Sequence, residues 1–266
     1  MADPLEFRDC ALGIIEATSL KEKLRPPRRP RVDDAPGEPL KLTAPGRPDH
    51  LRIARAGDVK VPSVVGLADP AQRPRIVHGF ANHELQAVEL YAWALLAFPD
   101  APAEFRREAF AILEEEQMHC RLYCSRLRAW GVALGDYPVT GYFWNKVGAY
   151  HSPLHFVCAM ALTFENANLD HTMDSIRAAR QAGDHRTAAV IEKVHADERK
   201  HVAFGWRWLG EFKSPGRSMW DAYCEAVQFP LRPALARGRC FHRGSREAAG
   251  LDADFVRRLE ATERGA

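Results

Sequence analysis

Two short motifs of the same form, Glu116-Gln117-Met118-His119 and Glu198-Arg199-Lys200-His201, decide the fold of this chain. Residues three positions apart lie on one face of an α-helix, so each motif can present a carboxylate oxygen and a ring nitrogen to the same point in space. A lone glutamate precedes each motif at nearly the same distance, Glu84 by 32 residues and Glu165 by 33 residues. Four carboxylates and two imidazoles in this doubled pattern predict a site for two metal ions.

The proposed ligands fall on the apolar stripes of four predicted helices, where charged side chains are uncommon. On the second helix, Glu116 and His119 continue a row that is formed by Phe105, Ala109 and Ile112. Burial of an unpaired carboxylate costs several kcal/mol unless an opposite charge or a metal ion compensates it. One such motif could equally be an ordinary helix acid beside a core histidine. Two motifs with matched upstream glutamates favour the metal site.

The links between these segments predict an all-α four-helix bundle. Short turns at Phe98-Pro99-Asp100-Ala101-Pro102 and at Gly183-Asp184 make two antiparallel helix pairs. The stretch between the pairs, 131–152, is too long for a tight hairpin, and one long crossover is the connectivity of ferritin-like bundles. The helices are predicted at about 74–98, 103–131, 152–181 and 185–211.

Longer stretches around the motifs resemble a known family. They are His83-Glu84-Leu85-Gln86-Ala87, Gly135-Asp136-Tyr137-Pro138 with Trp144 beyond it, Glu165-Asn166-Ala167-Asn168-Leu169-Asp170, and Asp197-Glu198-Arg199-Lys200-His201-Val202-Ala203-Phe204-Gly205. In these stretches and in both flanks the chain resembles a bacterial ferritin-like family catalogued as domain of unknown function 455. The resemblance implies the ferritin-like di-iron carboxylate superfamily, which includes ribonucleotide reductase radical subunits, multicomponent monooxygenases, arylamine N-oxygenases, a tRNA hydroxylase and rubrerythrins. It therefore implies the metal site and leaves the reaction open.

Two positions depart from the pattern of that family. The family usually carries His-Asp-Gly after the proline of the crossover, where this chain has Thr140-Gly141. Its third-helix motif often has Arg-Gly, where this chain has Ala167-Asn168. Both departures lie where the resemblance places substrate contacts, and they indicate a different substrate for this member.

The ligand types favour two iron ions as the cofactor, with manganese as the next candidate and O2 as the co-substrate. Each ion would have two carboxylates and one imidazole. The two ligand sets are Glu84, Glu116 and His119, and Glu165, Glu198 and His201. The leading hypothesis is an O2-dependent di-iron oxidoreductase, either an oxygenase or an oxidase, that acts on a small-molecule substrate and, as an oxygenase, needs an electron donor. The alternatives are a ferroxidase, metal-storage or metal-buffering protein, an RNA-modifying hydroxylase, and a non-catalytic interaction bundle.

Two acidic residues next to the motifs are candidates for supporting the metal-bound histidines. Such a histidine usually donates its second N–H to a carboxylate or a carbonyl, which fixes the orientation of the ring. Asp197 resembles the superfamily aspartate that holds the histidine of the opposite helix, here His119. Glu115 would mirror it for His201, and the alternative for Glu115 is a solvated acid in an acidic run.

His195 complicates the ligand set. It lies one turn before Glu198 and forms a Glu-x-x-His of its own with Glu192. Its frame follows a more polar stripe, so Glu198 and His201 are the preferred ligands. N-oxygenases of the superfamily use an extra histidine near this point, and the resemblance therefore makes His195 a candidate extra ligand. The alternative is a surface or supporting histidine.

The composition argues against several classes of protein. The chain has 266 residues and a formal net charge of only +2, so its overall charge does not favour nucleic acid as a partner. No apolar run approaches the roughly 18 residues that span a bilayer, and no signal-peptide profile is present. We therefore expect no membrane partner and a cytoplasmic location, with a homodimer left open. The six cysteines contain no Cys-x-x-Cys pair and are expected to be reduced thiols.

The flanks are predicted to decorate a single bundle. The predicted domains are an N-terminal helix of about 4–22 with a proline-rich arm packed on the bundle (1–73), the bundle itself (74–211), and a C-terminal tail or lid (212–266). The basic cluster of the arm, 25–31, is expected to belong to a strap or a solvated linker. Arginines recur in the tail, and a lid that recruits an anionic substrate is one hypothesis. No catalytic residue beyond the metal centre is assigned, and the candidate walls of a substrate pocket are Tyr91, Tyr123, Phe164 and Trp208.

Overall fold

The computed structural model describes residues 4–26, 31–55 and 57–263, and these ranges are mostly helical with almost no strand. The all-α class predicted from the sequence is therefore confirmed. The chain forms two compact units, an N-terminal unit of residues 1–147 and a C-terminal unit of residues 148–266. Among the described helices, none combines the length and the apolar character that crossing a membrane requires.

The N-terminal unit is built on a hairpin of two long helices. Its elements are β1 (Leu5–Glu6), α1 (Phe7–Glu16), α2 (Leu20–Lys23), β2 (Arg31–Val32), α3 (Arg73–Ala97) and α4 (Ala103–Arg128), with 3-10 turns at Asp49–Leu51 and Val64–Ala68. The two short strands pair in parallel. Helices α3 and α4 confirm the first two predicted bundle helices to within about three residues at each end.

Prolines set the ends of this hairpin. Pro74 stands in the first turn of α3, where a proline loses no helical hydrogen bond. Pro102 immediately precedes α4 with an extended backbone, and a proline keeps the residue before it out of the helical region. The link between the helices is consequently short, as the sequence predicted.

Helix α3 is buried along nearly its whole length from Ile76 to Ala97. Helix α4 packs against it, and the N-terminal arm covers a further side. The backbone N–H of Leu40 donates to the carbonyl of Leu96 (2.8 Å), and the indole N–H of Trp93 donates to the carbonyl of Leu42 (2.8 Å). A helix that is buried on several sides needs no polar face, so α3 carries only a weak amphipathic pattern.

The N-terminal helix predicted at about 4–22 is wrong as one continuous element. Two helices, α1 and α2, replace it, and Ala17 between them has an extended backbone. Lys23 folds back and donates from its ammonium to the carbonyls of Ile14 (2.7 Å) and Ile15 (3.3 Å). These carbonyls belong to the last turn of α1, where a helix leaves its C=O groups without helical partners. The break allows a lysine of α2 to cap α1.

A buried ion cluster joins the arm to α3. Glu89 accepts hydrogen bonds from Arg47 at both carboxylate oxygens (3.0 and 2.6 Å) and from the indole N–H of Trp144 (2.8 Å), and the ammonium of Lys23 lies 3.2 Å away. Burial lowers the pKa of Lys23, and the Glu89 carboxylate acts in the opposite direction. A buried carboxylate is costly without paired charges, so Glu89 fixes two residues of the arm. The sequence did not reveal this cluster.

The basic cluster of the arm lies partly outside the described residues, which leave out 27–30. At its described end, Arg31 forms an ion pair with Glu114 and lies over the ring of Phe110 at 4.9 Å. Arg31 therefore serves the packing of the arm on α4.

The C-terminal unit contains a second helix hairpin and a partly helical tail. Its helices are α5 (Pro153–Ala159), α6 (Asn166–Gln181), α7 (His185–Phe212), α8 (Met219–Ala226), α9 (Arg243–Ala248) and α10 (Ala253–Glu260), with a 3-10 turn at Pro233–Ala236. Gly183 adopts φ +72°, which favours glycine, and Asp184 caps the first turn of α7. The predicted turn between these helices is confirmed, and so are the ends of α7.

The third predicted bundle helix, at about 152–181, is confirmed in its extent, but it is not α-helical throughout. Between α5 and α6 the segment Met160–Glu165 is π-helical. A π turn is a change in backbone hydrogen-bond register, and the spacing of apolar side chains does not specify that register. The segment ends at Glu165, one of the proposed ligands.

The tail is tied to α6 by a buried ion pair. Arg246 donates to both oxygens of Asp170 (2.7 and 2.9 Å) and to the carbonyls of Asn166 (3.1 Å) and Ala236 (3.0 Å). The Asp170 carboxylate also accepts the backbone N–H groups of the loop before α9. Arginines 237 and 243 also bond to α10 and the residues after it. These three tail arginines hold the tail in place, which leaves them poorly suited to recruit an anionic substrate.

Candidate metal centre

The N-terminal unit brings three of the predicted ligands together. Glu84 of α3 and Glu116 and His119 of α4 each offer one donor atom, and these atoms lie within 4.8 Å of one another. None of the three residues is more than 5 % exposed. The Glu-x-x-His spacing places two of the ligands on one face of α4, and the hairpin supplies the third from α3.

The electrostatics of this cluster favour a cation. One ring nitrogen of His119, Nδ1, lies 3.4 Å from Glu116 and 3.7 Å from Glu84. Burial raises the pKa of Glu84 well above its ordinary value, and the neighbouring Glu116 carboxylate raises it further. Two buried carboxylates at close range are stabilised by a proton or by a metal ion between them, and a divalent ion provides the larger compensating charge.

The C-terminal unit repeats the arrangement with its own residues. Glu165, from the end of the π-helical segment, and Glu198 and His201, from α7, place one donor atom each within 4.8 Å of the other two. These residues are also no more than 5 % exposed. Both halves of the predicted ligand set are therefore clustered as predicted, and their role as ligands stays a prediction.

The π-helical segment fits tightly against α7. Thr163 donates its hydroxyl to the carbonyl of Cys158, five residues earlier (2.7 Å), and its oxygen lies 2.8 Å from the hydroxyl of Tyr223. A Cβ at Gly205 of α7 would lie 2.4 Å from the Cβ of Ala161. Gly205 stands one turn after His201, so the absence of a side chain there lets the segment approach the face of α7 that carries Glu198 and His201. π turns of this kind are frequent at functional sites.

The two oxygens of Glu198 have different surroundings. Oε1 accepts a hydrogen bond from the side-chain amide of Asn168 (2.7 Å). Oε2 is buried, has no hydrogen-bond partner among the described residues, and lies 3.7 Å from Nδ1 of His201. A buried carboxylate oxygen without a donor is costly, and a metal ion would satisfy it. The sequence marks Asn168 as a departure from the family pattern. It does not reveal the contact with Glu198, because that contact joins two helices.

The predicted supporting acids have the following surroundings. Asp197 is buried, and its carboxylate accepts hydrogen bonds from Lys193 and from Lys200 (2.7 Å) on the same helix. Glu115 is half-buried on α4. The expected contacts of these acids with metal-bound histidines stay predictions.

His195 has partners at both ring nitrogens. Nδ1 lies 2.8 Å from the hydroxyl of Thr172, and Nε2 lies 3.3 Å from the hydroxyl of Ser245. Burial lowers its pKa, and nearby Arg199 lowers it further, which keeps the ring neutral. In the part of the chain that the structure describes, His195 does not belong to either ligand cluster. Its place in the structure therefore favours the supporting role over that of an extra ligand.

The aromatic residues predicted to wall a pocket are all buried. Tyr91 and Tyr123 lie in the N-terminal unit, and Phe164 and Trp208 lie in the C-terminal unit, each at most 7 % exposed. Burial is compatible both with packing in a core and with lining a closed pocket, so their role as pocket walls stays a prediction.

The fold and the site together define a class of protein: an all-helical chain with two buried carboxylate–histidine clusters that could each hold a metal ion. The chain belongs to the family described as a protein of unknown function (DUF455), whose model matches residues 13–257. The family expected from the sequence is thereby confirmed. No curated protein and no solved structure gives a significant match.

Proposed function

We propose that this chain is an O2-dependent di-iron oxidoreductase that acts on a small-molecule substrate. In this proposal each unit holds one iron, and the two helix hairpins make the four-helix bundle of the ferritin-like superfamily. The observation that carries the proposal is the duplication of the cluster: two carboxylates and one imidazole, all buried, occur once in each unit. Ferritin-like carboxylate proteins use this ligand set, one Glu from each of two helices and Glu-x-x-His from each of two others.

The donor atoms of both clusters fit iron. Carboxylate oxygens and imidazole nitrogens without thiolates suit Fe²⁺ or Mn²⁺, and the buried Oε2 of Glu198 needs a positive partner. The nearest cysteines in sequence, Cys120 and Cys124, stay outside both clusters, and Cys120 donates to the carbonyl of Ala81. When bound, a pair of iron ions would supply the electrons that reduce O2 and the oxidising power that acts on the substrate.

The residues of the chain have three tasks in this proposal. Glu84, Glu116 and His119 bind one ion, and their counterparts in the C-terminal unit bind the other. The carboxylates bring negative charge that balances the ions, so neither cluster is left with excess charge in a buried place. As walls of a closed pocket, the buried aromatic residues predicted from the sequence would exclude water and so protect a reactive centre from side reactions.

Ferroxidase, metal-storage or metal-buffering activity is the alternative, because the same clusters could bind iron without a substrate. RNA modification and a non-catalytic interaction bundle rank below it. The number of ions retained per chain separates storage, which keeps many ions, from a catalytic or buffering centre, which keeps two. Reductant-dependent consumption of O2 then distinguishes a catalytic centre from a buffering one.

The test is to load metal-free protein with excess Fe²⁺ without O2, admit O2, remove unbound metal and count the iron retained per chain. We expect about two irons for the natural chain and about one for His119→Ala or His201→Ala. The matched control is His185→Ala, which removes an exposed histidine at the start of α7 and should leave two irons. O2 consumption that depends on a reductant should accompany the two-iron state.

Other counts would contradict the proposal in distinct ways. Loss of both irons in either single variant would contradict the assignment of one ion to each unit. Retention of many irons would make storage the function. Retention of none, with full binding of another metal, would exclude iron chemistry.

A further inference from the structure

Asn168 stands three residues after Glu165, at the start of α6, and its amide reaches across to α7. We infer that Asn168 is a positioning residue that reserves one oxygen of Glu198, so that Glu198 binds its metal ion through the other oxygen alone. The inference deepens the proposed function and rests on it, because it concerns how one predicted ligand is presented.

The hydrogen bond between the two side chains has a single sensible polarity. The partner of Asn168 is an oxygen of Glu198 at 2.7 Å, and an ionised carboxylate can only accept. The amide nitrogen must therefore be the donor, since the amide oxygen would be repelled. Hydrogen bonds to an ionised carboxylate are among the stronger ones, so Oε1 is held in a fixed direction.

Oε2 of Glu198 is the oxygen that is open to a cation. This oxygen is buried, has no donor among the described residues and lies 3.7 Å from Nδ1 of His201. A cation bound by both oxygens would share Oε1 with the positively polarised N–H of Asn168 and would be repelled by it. The geometry thus favours binding through one oxygen.

A chain of hydrogen bonds holds Asn168 itself. The hydroxyl of Thr172 donates to the backbone carbonyl of Asn168 (2.6 Å), and a hydroxyl has only one hydrogen to donate. The same oxygen lies 2.8 Å from Nδ1 of His195, so that nitrogen must carry a hydrogen and donate to Thr172. In a neutral ring Nε2 is then an acceptor, and the hydroxyl of Ser245 at 3.3 Å is its donor. Ser245 belongs to the tail, which is thereby linked to a predicted ligand.

The equivalent position of the N-terminal unit carries no amide side chain. The residue three positions after Glu84 is Ala87, which is buried and has no side-chain donor. Asn168 supports one site only, and this difference makes the inference testable.

The experiment uses Co²⁺, whose visible absorption bands respond to the number and geometry of its ligands. The full chain, free of metal, is titrated with Co²⁺ as the natural protein, as Asn168→Leu and as Asn168→Asp. Loss of such a supporting contact typically weakens metal binding by about 10- to 100-fold. We expect that loss for one of two ions in Asn168→Leu, together with altered absorption bands of that ion.

The matched control is Ser175→Ala on the same helix. Ser175 is buried and donates at 2.7 Å to the carbonyl of His171, so its loss removes a hydrogen bond of similar length outside the clusters. The control should bind two Co²⁺ ions with natural affinity and natural absorption. If it behaved like Asn168→Leu, the effect would be general loosening of α6 and the inference would be overturned.

Single-site backgrounds locate the effect. In His119→Ala the remaining ion belongs to the C-terminal unit, and adding Asn168→Leu should change its affinity and absorption. In His201→Ala the remaining ion belongs to the N-terminal unit, and the same addition should change nothing. Asn168→Asp keeps the size of the side chain and replaces the donor, so it must also alter the absorption of the C-terminal ion.

The outcomes separate the inference from the proposed function. If the natural chain binds no Co²⁺ and no iron, the proposed function fails. If it binds two ions, and both Asn168 variants match it in affinity and in absorption, the metal site stands and the positioning role of Asn168 is overturned.

Discussion

The N-terminal and C-terminal units both gather three buried residues that are predicted ligands on a helix hairpin, but their backbones differ. In the N-terminal unit Glu84 stands on an unbroken α-helix, and both carboxylates lie near one nitrogen of His119. In the C-terminal unit Glu165 ends a π-helical segment, and an amide holds Glu198. One sequence pattern is therefore met by two local structures. The pattern predicts which residues gather, and the support around them differs between the units.

The largest predicted effect concerns the buried ion clusters. Glu89 faces two cations in the N-terminal unit, whereas Asp170 faces one in the C-terminal unit. Removing one partner of a buried pair typically costs about 3–5 kcal/mol, because the other charge stays buried. We expect Glu89→Leu to lower the free energy of unfolding in urea by about that amount, and by more than Asp170→Leu does.

The control is Asp49→Ala, which removes an almost fully exposed carboxylate that pairs with the exposed Arg52. Surface pairs are worth at most about 1 kcal/mol, so this variant should unfold nearly as the natural chain does. If Glu89→Leu, Asp170→Leu and Asp49→Ala lowered the free energy of unfolding equally, burial of charge would not explain the effect.

The next prediction concerns the close approach of the π-helical segment to α7 at Gly205. Position 205 is glycine one turn after His201, whereas the equivalent position after His119 is Tyr123. Gly205→Ala would place a methyl group 2.4 Å from the Cβ of Ala161, and such overpacking typically costs about 1–3 kcal/mol. We expect that loss in urea unfolding, together with weaker binding of the C-terminal ion.

Gly210→Ala is the matched control for this substitution. It lies on the same helix, and the nearest atom to its new methyl group would be the flexible end of Met219 at 3.8 Å. Alanine is favoured over glycine inside helices by up to about 1 kcal/mol. The control should be neutral or stabilising, and a loss as large as that of Gly205→Ala would exclude the packing explanation.

The sequence predicted what depends on local signals. Pro102 and Gly183 marked the turns, and the i, i+3 spacing brought each Glu-x-x-His onto one helix face. The π register of Met160–Glu165 leaves no such signal, because every residue of the segment is buried and no polar face marks the change of register. The break at Ala17 also leaves no local signal. It accompanies the capping of α1 by Lys23 of α2, which is a contact between two helices.

Contacts between distant segments were also beyond the sequence. The amide of Asn168 meets Glu198 thirty positions away, and the tail reaches His195 through Ser245. Side-chain spacing along one helix contains no information about such partners. Glu89 shows the same limit, because it reads as an ordinary helix acid until the arm brings Lys23 and Arg47 to it.

Acid should affect the N-terminal unit through His78. This buried ring accepts the backbone N–H of Gly135 at Nε2 (2.9 Å), and burial lowers its pKa to about 4. The unfolded chain takes up a proton near pH 6.5, so the stability from neutral His78 is complete above that pH and is lost as the pH falls toward 4. One pH unit in this window corresponds to about 1.4 kcal/mol.

The measurement is urea unfolding of the natural chain and of His78→Gln between pH 7 and pH 5. Glutamine can keep an acceptor for Gly135 but cannot take up the proton. We expect the stability difference between the two proteins to change by about 1–2 kcal/mol over this range, with the natural chain losing more. His185→Gln, at an exposed position of the C-terminal unit, should run parallel to the natural chain. Parallel curves for His78→Gln would rule out this histidine as a source of acid sensitivity.

The smallest effect concerns how the second helix of each hairpin begins. In the C-terminal unit Asp184 caps α7, accepting the backbone N–H of Thr187 (3.0 Å) and its hydroxyl (2.6 Å). In the N-terminal unit α4 follows Pro102 without a side-chain cap. Loss of such a cap typically costs about 1 kcal/mol, so Asp184→Ala should lower the unfolding free energy by that amount, while Asp184→Ser should recover most of it. Asp100→Ala, in the turn before α4, should change nothing, because α4 begins without a side-chain cap. A loss at Asp100 equal to that at Asp184 would mean that the two hairpins begin alike after all.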